Sequence, residues 1–546
     1  MRREAIQLGL LLAAALLVFL IGNASVPLLD RDEPRYAQCS RQMLQSGDWV
    51  VPRFLDELRA KKPPLIYWAQ ATAMALLGEN AFAARLPSVL GVFLCAVLLA
   101  WGVRQVRGPT HALWATLVFC SSALTIFAAK SCLTDGLLLL WTTVAQFCLY
   151  ALWRGKRSWL IVILLAIAIG LGLLTKGLIV GVLLATALVL AFFRWLDQRR
   201  GKSPQLPGQS IGFAKPIVGL LIAIAMVGPW VWLVHRRAPD FLSKMFHEAA
   251  GHAVSGMEGH AGPPGSHLVM IWADFLPWSF LLPAAIVGGW VNRDDPVTRF
   301  AMAAIIGPWL MVELAIRTKL PHYMLPTFPP LALLTADAVV RGLAGSKPGL
   351  ASRGFVIGTW IVACVVVLIA LLPWLAVLKF RPLPWTAMGL LAEGTALWAF
   401  FAARKMGRDP RRALATLGLG MMVSVAIFYG LFLPRAQFLR LSILAADVLK
   451  ANGAVHPGDA VMVDYKEPSL AFYQGGTIRQ ERSSFVTSKS PDNWTPWMVI
   501  TDDVWNHCSL AVRDRLQVVA DFHGLSVADA MRVLHVIVVK KKSAPK

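Results

Sequence analysis

The sequence predicts a mainly α, polytopic membrane protein with about thirteen transmembrane helices and a small C-terminal α/β domain. Three observations carry this. The 546 residues are 57 % hydrophobic and only 15 % charged, with a mean hydropathy of +0.59. Apolar runs long enough to cross a bilayer follow one another for four-fifths of the chain. From about residue 440 the pattern changes to short β-rich runs separated by helical stretches.

The spans fall near 8–28, 86–103, 110–128, 134–152, 158–174, 177–194, 216–234, 268–290, 300–316, 324–340, 355–378, 385–402 and 413–433. Each has roughly the 17–25 residues a helix needs to cross a hydrocarbon core. The first run begins with Arg2 and Arg3 and could pass for a secretion signal. It reads as retained, because the polar loop after it needs an anchor. The 21 Trp suit the two water–lipid interfaces.

The net charge of +22 belongs to membrane orientation rather than to nucleic acid. With the N-terminus in the cytoplasm, the inside loops gather Arg104 and Arg107; Arg154, Lys156 and Arg157; Arg194, Arg199, Arg200 and Lys202; Arg341, Lys347 and Arg353; and Arg404, Lys405, Arg408, Arg411 and Arg412. The loop near 291–299 is neutral in this count. An odd number of spans puts the C-terminal domain on the periplasmic side. The expected division is a transmembrane unit over 1–436, including a first external loop at 29–85, and a periplasmic α/β domain over 437–546. The seven Cys form no metal-spaced cluster. A Cys39–Cys508 disulfide is open, and nothing in the sequence supports it.

That first loop keeps many basic residues on the side that disfavours them, which calls for a functional explanation. Asp30 or Asp32 is placed to cap a helix with Pro34 in its first turn, and Gly47-Asp48 would end it. A second helix is expected from Pro63, through Leu65, Trp68, Ala69, Ala73 and Leu76. Its start would add positive potential beside Lys62, a setting for a phosphate.

In the last domain, AVMVDY, WMVITD and VLHVIVV read as strands. LSILAADVLKANG and LAVRDRLQVVA read as helices. The tail KKKSAPK reads as disordered.

Four polar features carry candidate chemistry, and the predicted topology puts all of them on the outer face. The first is the carboxylate pair Asp32-Glu33 with Arg35 and Tyr36, since group transfer needs a base for the incoming nucleophile. The alternative is a helix cap with interfacial charges. The second is Lys61-Lys62-Pro63-Pro64, a phosphate ligand or a solvated pair at the headgroups. The third is Asp135 in KSCLTDG with Lys176 in LLTKG, costly at such depth unless paired or lining a wet cavity. A structural ion pair accounts for them equally well. The fourth is RTKLPHYMLP, with Arg317, Lys319, His322 and Tyr323, a substrate contact or an ordinary interfacial loop. The loop 235–267 carries His247, His252, His260 and His267. Their spacing matches no tight ligand set, so no metal site is assigned. The residues name no cofactor, and a divalent-metal requirement stays open.

In DRDEPRYAQCSRQMLQSGDWVVPRF, KKPPLIYW, the Asp135 turn, LLTKG and KLPHYMLP, the chain resembles the bacterial membrane glycosyltransferases of the GT-C fold. That group contains the protein-mannosyltransferase-like enzymes and the lipid A aminoarabinose transferases. The resemblance covers most of the chain in the same order. It implies Asp32 as catalytic carboxylate and Lys62 as contact to a lipid-linked phosphate. Asp135, Lys176 and Tyr323 are implied as further site positions, with Arg35 and Tyr36 flanking the carboxylate. His247 and His252 fall where polar substrate contacts are implied.

One departure matters. The aminoarabinose enzymes carry an acidic residue before the lysine in a YFEKP-like pattern. Here Arg59-Ala60-Lys61-Lys62-Pro63 stands instead, and a neutral or acidic sugar is expected rather than a cationic one. The expected activity is inverting transfer of a sugar from a polyprenyl-phosphate donor, undecaprenyl-linked, to lipid A, another glycolipid or a protein. The alternative is a transporter or flippase of lipid-linked sugars, which would want broken helices near midplane and a repeated half. No clear internal repeat is visible.

Overall fold

The computed structural model describes residues 2–29, 31–201, 214–256, 260–345, 349–529 and 531–542. Asp30, Lys202, Lys347 and the last four residues of the expected disordered tail lie outside the described residues. The membrane unit runs α1 (Arg2–Leu20), α2 (Glu33–Ser46), β1 (Arg53–Phe54), β2 (Glu57–Leu58), α3 (Leu65–Leu77), α4 (Ala81–Arg107), α5 (Pro109–Ser121), α6 (Ala123–Lys130), α7 (Asp135–Trp153), α8 (Trp159–Thr175) and α9 (Leu178–Arg199). It continues with α10 (Ala214–Arg237), α11 (Asp240–Val254), α12 (Ser266–Asp274), α13 (Leu282–Val291), α14 (Pro296–Ala315), a 3-10 turn over Pro321–Thr327, α15 (Phe328–Leu343), α16 (Arg353–Leu371), α17 (Trp385–Met406) and α18 (Pro410–Ile427).

By length and composition, 10 helical spans among the described residues suffice to cross a membrane, or 11 if the α5–α6 pair, bent by 63°, is one span. The expectation of thirteen also counted 158–174 and 268–290. The first is the 17-residue α8. The second breaks into α12 and α13 around a short 3-10 turn at Ser279–Leu281. α8 lies at the lower end of the spanning range, while α12 and α13 are each too short to cross a bilayer alone.

The first loop folds as a lid of two helices. α2 has Asp32 at its N-cap position and Pro34 in its first turn. It ends at Gly47, whose φ of +70° is the left-handed conformation glycine adopts at little cost. Asp32 does not cap with its side chain; that carboxylate is engaged elsewhere. α3 starts at Leu65, just past the paired prolines, as a proline-marked start requires. Between the two helices, Gln42 and Leu55 exchange hydrogen bonds of 3.0 and 2.8 Å. The indole of Trp230 on α10 donates to the carbonyl of Val50 at 3.0 Å.

The chain after α18 forms α19 (Leu441–Ala451), β3 (Ala460–Val463), α20 (Pro468–Gln474), β4 (Arg479–Glu481), α21 (Ser484–Thr487), β5 (Trp497–Thr501), α22 (Asp502–His507), α23 (Leu510–Asp514), β6 (Leu516–Ser526) and β7 (Arg532–Lys541). The sheet order is β4-β3-β5-β7-β6. β3 is parallel to β4 and β5, while β7 is antiparallel to β5 and β6. Separate apolar cores fill its two faces.

The three expected strands are present, and two more complete the sheet. LAVRDRLQVVA is helical only over Leu510–Asp514, and the remainder belongs to β6. The long antiparallel pairing of Leu516–Ser526 with β7 supplies ladder bonds that outweigh a weak helical periodicity. All seven Cys are free thiols, and Cys39 and Cys508 lie buried in different cores.

This domain docks on α2. The guanidinium of Arg41 donates to the carbonyls of Phe472 and Ala471 at 2.7 and 3.2 Å and lies 4.8 Å over the Phe472 ring. The amide of Leu28 donates to the Tyr473 hydroxyl at 2.7 Å. At Gly476, φ is +84° and a Cβ would stand 2.4 Å from the Gln38 amide nitrogen, so only glycine allows this approach.

Candidate active site

The polar residues singled out in the sequence sit at helix ends on one face of the bundle, because successive helices run antiparallel. Asp135 opens α7, Lys176 closes α8, and His322 and Tyr323 open the turn into α15. α7 can start here only because Gly136 follows Asp135. A Cβ on Gly136 would lie 2.9 Å from the backbone of Ser88, and one on Gly91 2.5 Å from the Gly136 carbonyl. These two glycines let α4 and α7 close together and fix the depth of the carboxylate.

Asp135 is buried. Its Oδ1 accepts from Lys176 Nζ at 2.9 Å, and its Oδ2 lies 3.9 Å from His322 Nε2. The Lys176 ammonium also stands 4.7 Å from the centre of the Tyr323 ring, a cation–π distance. His322 meets Tyr323 edge-on at 5.0 Å. Of these four residues, only His322 was named in the sequence without a place in the predicted site.

Lys62 faces this group from the lid. Among the described residues it makes no salt bridge of its own, while Lys176, Asp135, Asp32 and Glu248 all act on its charge. Burial, followed by the repulsion of Lys176, pulls its pKa down to about 8. Two ammonium groups held close, only one of them in a salt bridge among the described residues, make a place that attracts an anion.

Asp32 sits at the rim with 48 % of its side chain exposed, 3.2 Å from the guanidinium of buried Arg59. Arg59 in turn lies 5.7 Å from the Tyr36 ring, and Tyr36 stacks on Tyr67 at 5.5 Å. Burial raises the Tyr36 pKa, with Tyr67 and Asp32 adding to it, so Tyr36 stays a neutral hydroxyl. Arg59 escaped the sequence reading. Its only signal was its place three residues before Lys62. Arg35 lies partly exposed on the first turn of α2.

Glu33 differs from its neighbour. It is buried, and both oxygens are engaged. Arg85 donates to Oε1 at 3.0 Å and to Oε2 at 2.8 Å. The amides of Cys132 and Leu29 donate at 2.8 and 3.0 Å. Arg85 further donates to the carbonyls of Asn23, Val26 and Pro27. A carboxylate so saturated has no lone pair directed at a substrate, which corrects the expectation of Glu33 as a catalytic group. It ties α1, the lid, α4 and the Asp135 turn together.

The departure at Lys61 is answered from another element. Lys61 Nζ lies 2.8 Å from Glu248 Oε1 on α11, and His252 Nε2 is 3.7 Å from the same oxygen. His252 is also 3.2 Å from the Thr318 hydroxyl. His247, one residue before Glu248, is exposed, and no contact joins it to Asp135 or Lys176. Lys319 and His267 are structural: both pair with buried Glu313, at 3.3 and 3.1 Å.

The fold and this arrangement define a polytopic membrane glycosyltransferase of the GT-C type. The crystal structure of ArnT from Cupriavidus metallidurans bound to undecaprenyl phosphate is similar over 98 % of this chain and 99 % of that one, with a TM-score of 0.74 and 22 % identity. The apo state gives 0.73. The dolichyl-phosphate-mannose-protein mannosyltransferase family profile matches residues 8–243.

The undecaprenyl phosphate-alpha-4-amino-4-deoxy-L-arabinose arabinosyl transferase of Edwardsiella ictaluri is 31 % identical over 418 residues, 72 % of each chain. That of Erwinia tasmaniensis is 33 % identical over 66 % of this chain and 64 % of its own length. The chain belongs to this family of membrane pentosyltransferases that use polyprenyl-phosphate sugars.

Proposed function

We propose that the chain transfers a sugar from undecaprenyl phosphate to a hydroxyl or phosphate of an envelope acceptor, lipid A or a related glycolipid, at the periplasmic face. The observation that carries this is the buried Lys62 ammonium, repelled by Lys176 and with no salt bridge of its own among the described residues. The donor phosphate takes the counterion position, and the lipid tail lies between helices. Tyr323 lines the same place. Asp32 is open at the rim and takes the proton of the acceptor, which attacks the anomeric carbon and inverts it. The leaving group is already a phosphate, so its developing charge is met by the two ammonium groups without a general acid.

Arg59, 3.2 Å away, holds the Asp32 carboxylate in place, and Arg35 lies on the same first turn of α2. Asp135 holds Lys176 in place, with His322 on its other oxygen. His252 stands beside Glu248, 3.7 Å from its Oε1.

The distribution of Lys and Arg supports a cytoplasmic N-terminus, and with it periplasmic placement of the lid and the C-terminal domain. Glu248 is the carboxylate nearest Lys61, and the two neutralise one another. This favours a neutral sugar over a cationic one. The expectation is transfer from undecaprenyl-phosphate arabinose to lipid A by purified protein in proteoliposomes, faster than from the 4-amino analogue. Release of neither sugar by wild type, or movement of intact donor between leaflets without bond cleavage, would overturn the reading.

A further inference from the structure

The hairpin β6–β7 carries a cluster that the transfer reaction does not use. Asp521 and His523 are two apart on β6, so their side chains leave the same face of the sheet. The register puts His535 of β7 directly opposite His523, and Ile537 opposite Asp521. All three polar side chains therefore converge on one patch. His535 Nε2 lies 2.9 Å from Asp521 Oδ2, and the two imidazoles stack at 3.9 Å between centroids. One ligand atom from each residue falls within 4.8 Å of the others.

We propose that Asp521, His523 and His535 bind one divalent transition-metal ion of the zinc type. A tetrahedral zinc with bonds of about 2.0–2.2 Å spaces its donors roughly 3.3 Å apart. The three ligand atoms already lie within 4.8 Å of one another, so only a small closing shift separates them from that spacing. Two imidazoles and one carboxylate form an N2O set that suits zinc, nickel or copper and not the oxygen-seeking magnesium or calcium. The patch is largely exposed, so water completes the fourth position. The nearest cation on the hairpin, Arg532, is tied to Asp503 at 2.7 Å. An Asp–His hydrogen bond alone would account for Asp521 and His535. It gives no reason for a second imidazole stacked on the first.

The ion would tie β6 to β7 at the end of the sheet order. β6 also supports the attachment to the membrane unit, since a Cβ at Gly524 would lie 2.4 Å from the Phe438 carbonyl. The bound metal therefore stiffens the link between the last span and the periplasmic sheet.

The test uses the full chain in detergent, stripped with chelator and titrated with Zn2+ by calorimetry and with Co2+ by visible absorption. The wild type is compared with a His523→Ala/His535→Ala double variant and with Asp521→Asn. The double variant is expected to bind one equivalent fewer and to lose the zinc-dependent rise in apparent Tm. Asp521→Asn is expected to keep the stoichiometry with at least tenfold weaker affinity. Gel-filtration elution matching wild type shows that both variants are folded. Equal stoichiometry and an equal Tm rise in wild type and double variant, or no zinc bound by the wild type, overturns the proposal.

Discussion

Lys176 Nζ is 2.9 Å from Asp135 Oδ1, and the pair is buried between helix ends. Breaking such a pair from one side costs about 3–5 kcal/mol, because the remaining charge is left without its partner. Asp135→Asn should therefore lower the apparent Tm by several degrees and raise the donor KM. The double variant Asp135→Asn/Lys176→Met removes both charges and should recover most of the Tm without recovering transfer. Thermal unfolding and donor-saturation curves on the same samples separate the two effects. Recovery of transfer in the double variant would make the pair purely structural.

Asp32 is expected to behave differently, because it is exposed at the rim and holds only a surface-facing contact with Arg59. Asp32→Asn keeps the shape and a hydrogen-bonding oxygen for Arg59 but cannot accept the proton. Loss of a general base costs about 10²–10⁴ in rate. The expected result is a kcat reduced by that factor, with binding of the lipid donor and apparent Tm close to wild type. Unchanged turnover would remove Asp32 from the chemistry.

The lowered pKa of Lys62 gives a pH dependence with a definite sign. In the proposed mechanism its ammonium holds the phosphate, and burial and Lys176 bring its pKa to about 8. As pH rises through that region the free enzyme loses the charge. kcat/KM for the donor should then fall on the basic limb, while kcat at saturating donor changes less, because bound phosphate holds the proton on Lys62. Lys62→Arg should move the limb upward by two units or more, since a guanidinium does not titrate there. A limb that stays near pH 8 in Lys62→Arg would assign it to another group.

The parts of the site legible in the sequence are those where polarity conflicts with surroundings. Asp135 and Lys176 are conspicuous because ionisable groups at membrane depth are rare, and the structure pairs them directly. Lys62 was visible for the same reason. The lid helix, its proline start and its glycine stop follow from local rules, and α2 and Gly47 obey them. What was not legible depends on long-range packing. Arg59 and Glu248 find Asp32 and Lys61 across 27 and 187 residues of sequence, and nothing local announces either pair. β6 was hidden because its alternation is weak until β7 pairs with it. One continuous span was expected where the structure has α12 and α13, since composition does not show where a helix is interrupted.

The hardest distinction was between the adjacent carboxylates Asp32 and Glu33, which look equivalent in sequence. One residue apart on a helix start, they point about 100° from each other, one to the rim and one inward. Glu33 is the only carboxylate on Arg85 among the described ion pairs, and Arg85 is itself 3 % exposed. Glu33→Gln turns an acceptor toward one set of donors and an amide NH2 toward the other. It leaves Arg85 charged and buried without its counterion, at a cost of about 3–5 kcal/mol. The expected outcome is a marked fall in apparent Tm and in yield of folded protein, with kcat per folded molecule near wild type. Apparent Tm by dye-binding thermal unfolding and turnover normalised to the gel-filtration monomer peak would show it. Wild-type stability with turnover as low as that of Asp32→Asn would instead return Glu33 to the catalytic role proposed for its neighbour.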